Sequence, residues 1–208
     1  MRENREVLQR SLKELYDLIY SENMLYYVTS NKSKIDTARR NLTPFGITFQ
    51  TQDAELIEIQ SDSLEEIAVE KAKHAFKLFQ KPLFISDHGW YIPALHGFPG
   101  PYMKYINKWF TSEDLLRLVE PYEDRTIIKR EVLVYIDSQE SKTFVSEING
   151  RILEKPEGNG LPAMRVTTLS KTGKSMARCS EEGINAFDEN PIYEEFAFWL
   201  HTTKQLPK

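Results

Sequence analysis

The order of apolar and polar residues predicts a chain of short buried strands and amphipathic helices. Near the start, apolar residues recur at helical spacing and predict a helix over residues 4–20. An apolar strand over residues 24–28, a polar loop and a helix to about Leu42 follow. A proline and a glycine then end this helix, and residues 47–50 are predicted to form a second strand.

The polar loop that joins the first strand to its helix is a candidate anion-binding site. Asn31 suits the N-cap position, and Lys32 and Lys34 add positive charge. Unpaired backbone N–H groups and the helix dipole at such a terminus both favour phosphate. A plain capped helix with exposed lysines fits the same residues. On the residues alone the plain helix is favoured, because the loop has no glycine that would let its backbone close on a phosphate.

The next helix combines a strong start signal with an unusual lysine. The sequence Ser63-Leu64-Glu65-Glu66 matches a capping box, and apolar residues then repeat along one helix face. Lys71 falls within this apolar face, where a lysine is costly unless its ammonium reaches water or meets an anion. Reaching water is the commoner of these two arrangements.

The stretch from residue 83 to residue 110 combines a buried strand with a candidate functional carboxylate. An apolar run predicts a strand that ends at Asp87, with Gly89 directly after it. A carboxylate at such a strand end lies where open α/β sheets place their ligands. The alternative is a solvated Asp at an ordinary strand end. A Gly-Phe-Pro-Gly-Pro segment then predicts a stiff turn that leads into an aromatic helix.

The second half of the chain predicts an antiparallel hairpin and a final helix. Residues 126–137 and 142–148 are rich in β-forming residues, and four polar residues join them. A glycine-rich loop covers residues 156–162, and residues 192–201 have the pattern of an aromatic helix. The chain has no internal repeat and no low-complexity linker, which favours a single domain.

Composition narrows the classes of function. The 208 residues are 40% hydrophobic, which is enough for an ample core. Lys plus Arg number 27 against 31 Asp plus Glu, and this net charge of −4 argues against a duplex nucleic-acid binder but not against a nucleotide site. A single cysteine, Cys179, excludes an intrachain disulfide. With no membrane-length apolar run and no signal-peptide core, we expect no membrane partner and a cytoplasmic location.

Four segments occur in an order that is typical of one family. They are Thr-Ser-Asn-Lys-Ser-Lys at residues 29–34, Ile-Glu-Ile-Gln-Ser at 57–61, Ser-Asp-His-Gly at 86–89 and Ala-Leu-His-Gly-Phe-Pro-Gly-Pro-Tyr at 94–102. The series resembles the inosine triphosphate pyrophosphatase family, whose members hydrolyse aberrant purine nucleoside triphosphates. That family carries Thr/Ser-Gly-Asn-x-x-Lys, Pro-Glu-x-x-Gly, an acidic pair before Gly or Cys, and Ala-Leu-x-Gly-x-Pro-Gly-x-Tyr. The resemblance covers roughly the first half of the chain.

The resemblance implies an α/β fold with a central mixed sheet, flanking helices and two lobes around a nucleotide cleft. It implies a magnesium-dependent enzyme in which Glu58 and Asp87 hold Mg²⁺ and Asp87 and Lys34 are catalytic. The implied substrate-binding residues are Thr29, Ser30, Asn31, Lys32, Lys34, Lys71, His88 and Lys104. A homodimer is expected by analogy with the family. We expect residues 1–22 to form a helical extension and residues 23–208 a single two-lobed domain.

Three departures from the family pattern concern the metal and the base. Ser86 stands where the family commonly has a second acid. The family's Phe-Gly-Trp/Tyr-Asp loop, which stacks on the base, corresponds to residues 158–164, which here contain neither an aromatic residue nor Asp. Its Ser-His-Arg motif, which contacts the 6-oxo group, corresponds to Asp188-Glu189-Asn190. The phosphate half of the site is thus retained, whereas the base half is rebuilt.

These observations predict a nucleoside triphosphate pyrophosphatase with altered base specificity. The alternative is a catalytically weak or inactive nucleotide-binding or interaction protein on the same fold. Glu58, Asp87 and Lys34 favour the enzyme, and the lost base motifs and Ser86 favour the alternative.

Overall fold

The computed structural model describes residues 24–186 and 191–204. The predicted helix over residues 4–20 and the segment Asp188-Glu189-Asn190 lie outside the described residues. The strands are β1 (Tyr26–Val28), β2 (Gln50–Gln52), β3 (Leu83–Tyr91), β4 (Pro99–Gly100), β5 (Thr126–Ile136), β6 (Ser141–Ile152) and β7 (Thr167–Thr168). The α-helices are α1 (Lys32–Leu42), α2 (Leu64–Phe79), α3 (Met103–Trp109), α4 (Ser112–Val119), α5 (Pro162–Val166), α6 (Met176–Glu181) and α7 (Ile192–Thr203).

The strands form one mixed sheet in the order β2-β1-β3-β5-β6-β7, with the short β4 paired to β3. Strands β1, β2 and β3 run parallel, as expected where helices α1 and α2 connect them. All other pairings are antiparallel. The central mixed sheet with flanking helices confirms the predicted fold class.

The predicted hairpin is confirmed and is longer than expected. Strands β5 and β6 pair in register from Ile136 opposite Ser141 to Thr126 opposite Arg151. At the turn, a carboxylate oxygen of Asp137 accepts hydrogen bonds from the backbone N–H groups of Gln139 (2.8 Å) and of the residue after it (2.9 Å). This local bonding sets the turn from which the long ladder extends.

Alternate residues of β3 face two different sides of the sheet. Phe84 packs in a cluster with α1 and α7, where its ring stacks on Tyr27 with centroids 4.3 Å apart. Its neighbours Leu83 and Ile85 pack instead against α2. A further apolar cluster, which includes Trp90, lies among the later strands and helices α3 to α6. The period of two along the strand therefore separates the cores and fixes where each polar side chain of β3 points.

Two predicted strand boundaries are wrong. Strand β3 does not end at Asp87 but continues to Tyr91, because β5 pairs with it over all nine residues and supports the polar segment. The second strand lies at residues 50–52 instead of 47–50, since β1 pairs with Gln50–Gln52. In both cases pairing with a distant strand outweighs the local apolar pattern.

The start of α2 uses the predicted residues in a different way. The Ser63 hydroxyl accepts a hydrogen bond from the Glu66 backbone N–H (3.2 Å), as the capping box requires. The Glu66 carboxylate, however, accepts from the hydroxyl of Ser61 (2.7 Å), whose oxygen in turn accepts from the Ser63 backbone N–H (3.0 Å). Ser61 thus completes the capping box through its own hydroxyl.

Within the described part of the chain, none of the helices is both long enough and apolar enough to cross a membrane.

Candidate active site

Asp87 lies beside a gap in the sheet. Strand β1 pairs with β3 only at Leu83 and Phe84, and β4 pairs only with Trp90 and Tyr91. Among the described residues, no strand pairs with residues 85–89 of β3 on this side; we call this stretch the β3 notch. Backbone groups of β3 without a strand partner meet the end of the parallel strand β1 there, as they do in ligand-binding crevices of α/β sheets.

Two lysines hold the carboxylate of Asp87. The Lys34 ammonium donates to the Asp87 Oδ1 atom (3.2 Å) and to the Ser86 backbone carbonyl at the notch (2.7 Å). The Lys71 ammonium donates to Asp87 Oδ2 (2.5 Å) and pairs with the Glu58 carboxylate (3.1 Å). Four predicted site residues from four different segments therefore form one connected cluster.

The charges in this cluster stabilise one another. Burial raises the pKa of Asp87, but the positive charges of Lys34 and Lys71 outweigh it and lower the pKa to about 2. Burial lowers the pKa of Lys71, and the carboxylates of Asp87 and Glu58 reverse this effect and raise it. Asp87 and Lys71 are therefore both charged at neutral pH. Lys71, which the sequence placed on an apolar helix face, meets an anion there.

The loop over residues 29–34 has the predicted capped geometry. The Asn31 side chain accepts a hydrogen bond from the Lys34 backbone N–H (3.3 Å), which confirms Asn31 as the N-cap of α1. The Thr29 hydroxyl accepts from the Asn31 backbone N–H (3.2 Å). Ser30 and Lys32 are exposed. The helix start therefore presents N–H groups and an exposed lysine next to the Asp87 cluster.

Glu58 reaches the cluster on an irregular segment, residues 53–63, which we call the Glu58 loop. Its backbone is held at Ile57, whose N–H donates to His74 Nδ1 (2.9 Å), and at Ser61, whose carbonyl accepts from the Tyr102 hydroxyl (3.1 Å). The Glu58 side chain itself is 57% exposed. These anchors come from α2 and from the segment before α3, so the loop depends on contacts distant in sequence.

Two predicted substrate residues lie apart from the lysine–carboxylate contacts. Lys104 is exposed on α3 and makes no described contact with Asp87. The His88 backbone N–H donates to Asp87 Oδ1 (3.2 Å), but its side chain follows the alternation of β3 to the opposite face. Burial lowers the pKa of His88, and the positive charges of Lys34 and Lys129 lower it further.

Sequence reasoning missed a polar cluster on the α7 side of the sheet. It consists of Tyr27, Ser86, His88, Lys129, Glu131, Ser146 and Tyr193. The Ser86 hydroxyl lies 2.6 Å from the Tyr27 hydroxyl, on the face opposite the Asp87 carboxylate. Position 86 therefore points away from the proposed metal ligands. A period-two pattern at Ile127, Lys129, Glu131 and Leu133 was the available signal, because it places two charges among buried apolar residues on one strand face.

The carboxylates present suit a hard divalent cation bound together with phosphate. Among residues 24–186 and 191–204, no three or more His, Cys, Asp or Glu side chains are grouped in a way that could hold a metal ion. Glu58 and Asp87 nonetheless converge on one lysine. Mg²⁺ is commonly held by one or two carboxylates together with waters and substrate phosphates. The donor set therefore fits a magnesium–nucleotide complex better than a metal cage made by protein alone.

The segment that corresponds to the family's base-stacking loop, residues 158–164, makes other contacts. Residues 158–161 are irregular and α5 begins at Pro162. The Arg165 Nε atom donates to the Gly158 carbonyl (3.0 Å), and the Arg178 guanidinium pairs with Glu181 (3.0 Å). Both arginines in this region are thus engaged in local contacts.

The chain is similar in sequence to known archaeal pyrophosphatases. A dITP/XTP pyrophosphatase from Methanopyrus kandleri is 38% identical over 133 residues, which are 64% of this chain and 71% of that protein. A dITP/XTP pyrophosphatase from Thermococcus kodakarensis is 34% identical over 180 residues, which are 85% of this chain and 96% of that protein.

The fold also has solved counterparts. A HAM1 protein from Coxiella burnetii superposes with a TM-score of 0.70 at 19% identity, over 86% of this chain and all of that one. The Ham1 protein of Staphylococcus aureus gives a TM-score of 0.68 at 22% identity, over 86% and 98% of the two chains. The sequence model of the Ham1 family matches residues 25–186. The chain therefore belongs to the Ham1 family, which confirms the resemblance to inosine triphosphate pyrophosphatases.

Proposed function

We propose that this protein is a magnesium-dependent nucleoside triphosphate pyrophosphatase that releases a nucleoside monophosphate and pyrophosphate. The observation that carries the proposal is the Asp87 carboxylate at the β3 notch, bound by Lys34 and Lys71. Its Ham1 relatives are dITP/XTP pyrophosphatases, which makes the chain a hydrolase of phosphoric anhydride bonds.

The reaction assigns a role to each group of the cluster. Hydrolysis joins a water oxygen to the α-phosphorus and breaks the bond from that phosphorus to the leaving pyrophosphate oxygen. Lys34 and Lys71 would bind the phosphate oxygens, and the Asp87 carboxylate would accept the proton that the water loses.

Glu58 and Asp87 would hold Mg²⁺ when a substrate is bound. The ion supplies neutralisation of the phosphates and of the leaving pyrophosphate. The remaining contacts to the triphosphate would come from Thr29, Ser30, Asn31 and Lys32, with Lys104 and His88 near the nucleotide. Residues Thr29 and Asn31 order the start of α1, where N–H groups and the helix dipole favour phosphate.

Base specificity is proposed to differ from that of the inosine triphosphate pyrophosphatases that the chain resembles. Support comes from two arginines that make local contacts: Arg165 of α5 donates to the Gly158 carbonyl, and Arg178 of α6 pairs with Glu181. A homodimer remains a prediction from the resemblance. A cytoplasmic location and a single two-lobed domain over residues 23–208 remain predictions from the sequence. Light scattering of the purified protein would measure its mass in solution.

A screen of nucleoside triphosphates tests the proposed activity. Inosine, xanthosine, adenosine, guanosine, cytidine and uridine triphosphates would each be incubated with protein and Mg²⁺, and pyrophosphate and orthophosphate would be measured separately. We expect pyrophosphate in stoichiometric amounts with the monophosphate, and loss of the activity in EDTA. Orthophosphate as the main product would contradict the proposed bond cleavage.

The departures from the family's base-binding motifs at residues 158–164 and 188–190 support a second candidate, a nucleotide-binding protein with little or no turnover. Tight binding of a triphosphate by calorimetry, without pyrophosphate release for any base, would favour this candidate over the enzyme.

A further inference from the structure

Strand β5 carries a buried ion pair that the proposed reaction does not use. Lys129 and Glu131 are only 8% and 7% exposed, and the Lys129 ammonium lies 2.7 Å from Glu131 Oε2. Tyr193 of α7 donates its hydroxyl to the other carboxylate oxygen of Glu131 at 3.3 Å. One cationic donor and one anionic acceptor are thus placed side by side on one face of the sheet.

The pair lies next to the proposed phosphate site. Glu131 is directly opposite His88 in the β3–β5 register, and Ser146 of β6 is opposite Glu131. These residues form a row that begins one residue after Asp87 and crosses the sheet on the α7 side, with adjacent strands about 5 Å apart. Because His88 directly follows Asp87 in β3, the row begins one residue from the proposed phosphate site, on the opposite face of the sheet.

The Lys129–Glu131 ion pair lies between two apolar clusters. One contains Phe84 and Leu133, and the other contains Trp90 and Ile127, all on the same face of the sheet. A few convergent polar groups between apolar walls are typical of small-molecule sites. Burial of two charges is costly, and apolar residues of similar volume often serve stability as well or better. A role in stability alone therefore accounts poorly for the pair.

We propose that Lys129 and Glu131 contact the polar edge of a purine base and determine base specificity. This inference rests on the proposed function, since it places the base relative to phosphates at Asp87. Lys129 would donate to an acceptor on the base, and Glu131 would accept from the neighbouring donor. Hypoxanthine offers a 6-carbonyl beside a ring N–H, and adenine offers a ring nitrogen beside a 6-amine. The two edges carry acceptor and donor in opposite order, so the ammonium would face position 6 of hypoxanthine but position 1 of adenine, and the carboxylate the other position. A purine with hydrogen at position 6 keeps the acceptor at position 1 but has no donor for the carboxylate.

Binding of three non-hydrolysable triphosphates tests the proposal without turnover. The probes are the α,β-methylene triphosphates of inosine, adenosine and purine riboside, which differ only at the purine edge. The variant Lys129→Met/Glu131→Leu replaces both charges with apolar groups of similar size, which avoids leaving one buried charge unpaired. We expect its dissociation constants for the inosine and adenosine probes to rise about 10- to 100-fold, and that for the purine riboside probe to change less than about 3-fold.

A matched control uses an ion pair on the same two strands. Arg130 of β5 and Glu147 of β6 pair at 2.6 Å on the opposite face of the sheet. The variant Arg130→Met/Glu147→Leu should change the dissociation constants of all three probes by one common small factor. If the double variant at 129 and 131 fails to fold, Glu131→Gln provides a nearly isosteric change to be measured on the same probes.

The outcomes separate the two proposals. Equal changes for all three probes in the 129/131 variant, or no change, would overturn the role in base recognition even if wild-type hydrolysis is strong. A selective loss for the inosine and adenosine probes would support it even if wild-type protein releases no pyrophosphate, in which case only the proposed enzymatic function fails.

Discussion

At the scale of single residues, the ionisation of Asp87 links the site to stability. Its pKa of about 2 in the folded protein lies below the ordinary value of 3.8, despite burial, because Lys34 and Lys71 favour the carboxylate. A lowered pKa stabilises the folded state above the ordinary value and loses this effect as pH falls toward the folded value. By this linkage the ionised Asp87 carboxylate contributes on the order of 2 kcal/mol to the free energy of unfolding above about pH 4.

The first prediction follows from this linkage. Asp87→Asn should lower the free energy of unfolding by about 2 kcal/mol at pH 6, and the difference from wild type should shrink between about pH 4 and pH 2. Urea unfolding at several pH values would measure it. Asp137, whose pKa is also lowered, is common to both proteins and cancels in the difference. A difference that is independent of pH would show that the lysines do not act on Asp87 as described.

The second prediction concerns Lys34. Lys34→Ala should weaken binding of an α,β-methylene triphosphate about tenfold or more and leave binding of the free nucleoside nearly unchanged, because the ammonium would meet phosphate and not base. Titration calorimetry on both ligands would measure the two effects. Lys32→Ala, at an exposed lysine in the same helix turn, is a comparison variant and should weaken binding of the triphosphate less than Lys34→Ala does. Equal losses for nucleoside and triphosphate would exclude a phosphate role for Lys34.

At the scale of elements, the close contact between β6 and β7 makes one glycine indispensable. A Cβ atom at Gly150 would lie 2.3 Å from the Thr168 carbonyl oxygen and 2.5 Å from Leu169 Cδ2. Strand β7 pairs with β6 immediately beyond this point, at Arg151 and Ile152. The absence of a side chain therefore allows the last strand to approach the sheet.

The third prediction tests this contact. Gly150→Ala should destabilise the protein by about 1–3 kcal/mol, because the backbone of β7 has to move away from the added methyl group. Thermal or urea unfolding would measure the loss. Asn149→Ala, on the neighbouring exposed position of the same strand, should change stability by less than about 0.5 kcal/mol. Equal stabilities of the Gly150 variant and wild type would contradict the packing of β7.

The sequence predicts which helices and strands form better than it predicts the residues at which they begin and end. The N-cap at Asn31, the hairpin β5–β6 and helix α7 follow from local patterns, and the structure has each of them. The extension of β3 past Asp87 does not follow from such patterns, because it depends on pairing with β5 some forty residues later. Leu56-Ile57-Glu58-Ile59 alternates in a way that is typical of a strand, but contacts with α2 and Tyr102 hold the Glu58 loop in an irregular form.

At the scale of the whole molecule, the residues of the Asp87 cluster are found by motif, whereas the polar cluster has only the period-two pattern of β5 as a sequence signal. Lys34, Glu58, Lys71 and Asp87 carry motif signals within their own segments. By contrast, the pattern of β5 indicates only that Lys129 and Glu131 share a buried strand face. Their neighbours on β3, β6 and α7 are defined by the order of the strands and by the packing of Tyr193. Side chains that are brought together by the order of strands in a sheet lie far apart in sequence, so no short motif predicts their contact.

The fourth prediction concerns selectivity between purines. The ratio of kcat/KM for inosine triphosphate to that for adenosine triphosphate should stay below about 100, because Lys129 and Glu131 together match both purine edges and the arginines near α5 are bound elsewhere. Initial rates under identical Mg²⁺ would give the ratio. A larger ratio would mean that other residues recognise the 6-oxo group.

The central claim is that the Asp87 cluster directs water to the α-phosphorus of a nucleoside triphosphate. The direct test is hydrolysis in H₂¹⁸O with Mg²⁺, with the products identified by ³¹P NMR and mass spectrometry, for wild type and for Asp87→Asn with its fold checked by circular dichroism. We expect wild type to place the label in the nucleoside monophosphate and none in the pyrophosphate, and the folded Asp87→Asn variant to lose at least about 100-fold in rate. Label in the pyrophosphate, or an unchanged rate in the folded variant, would contradict the account.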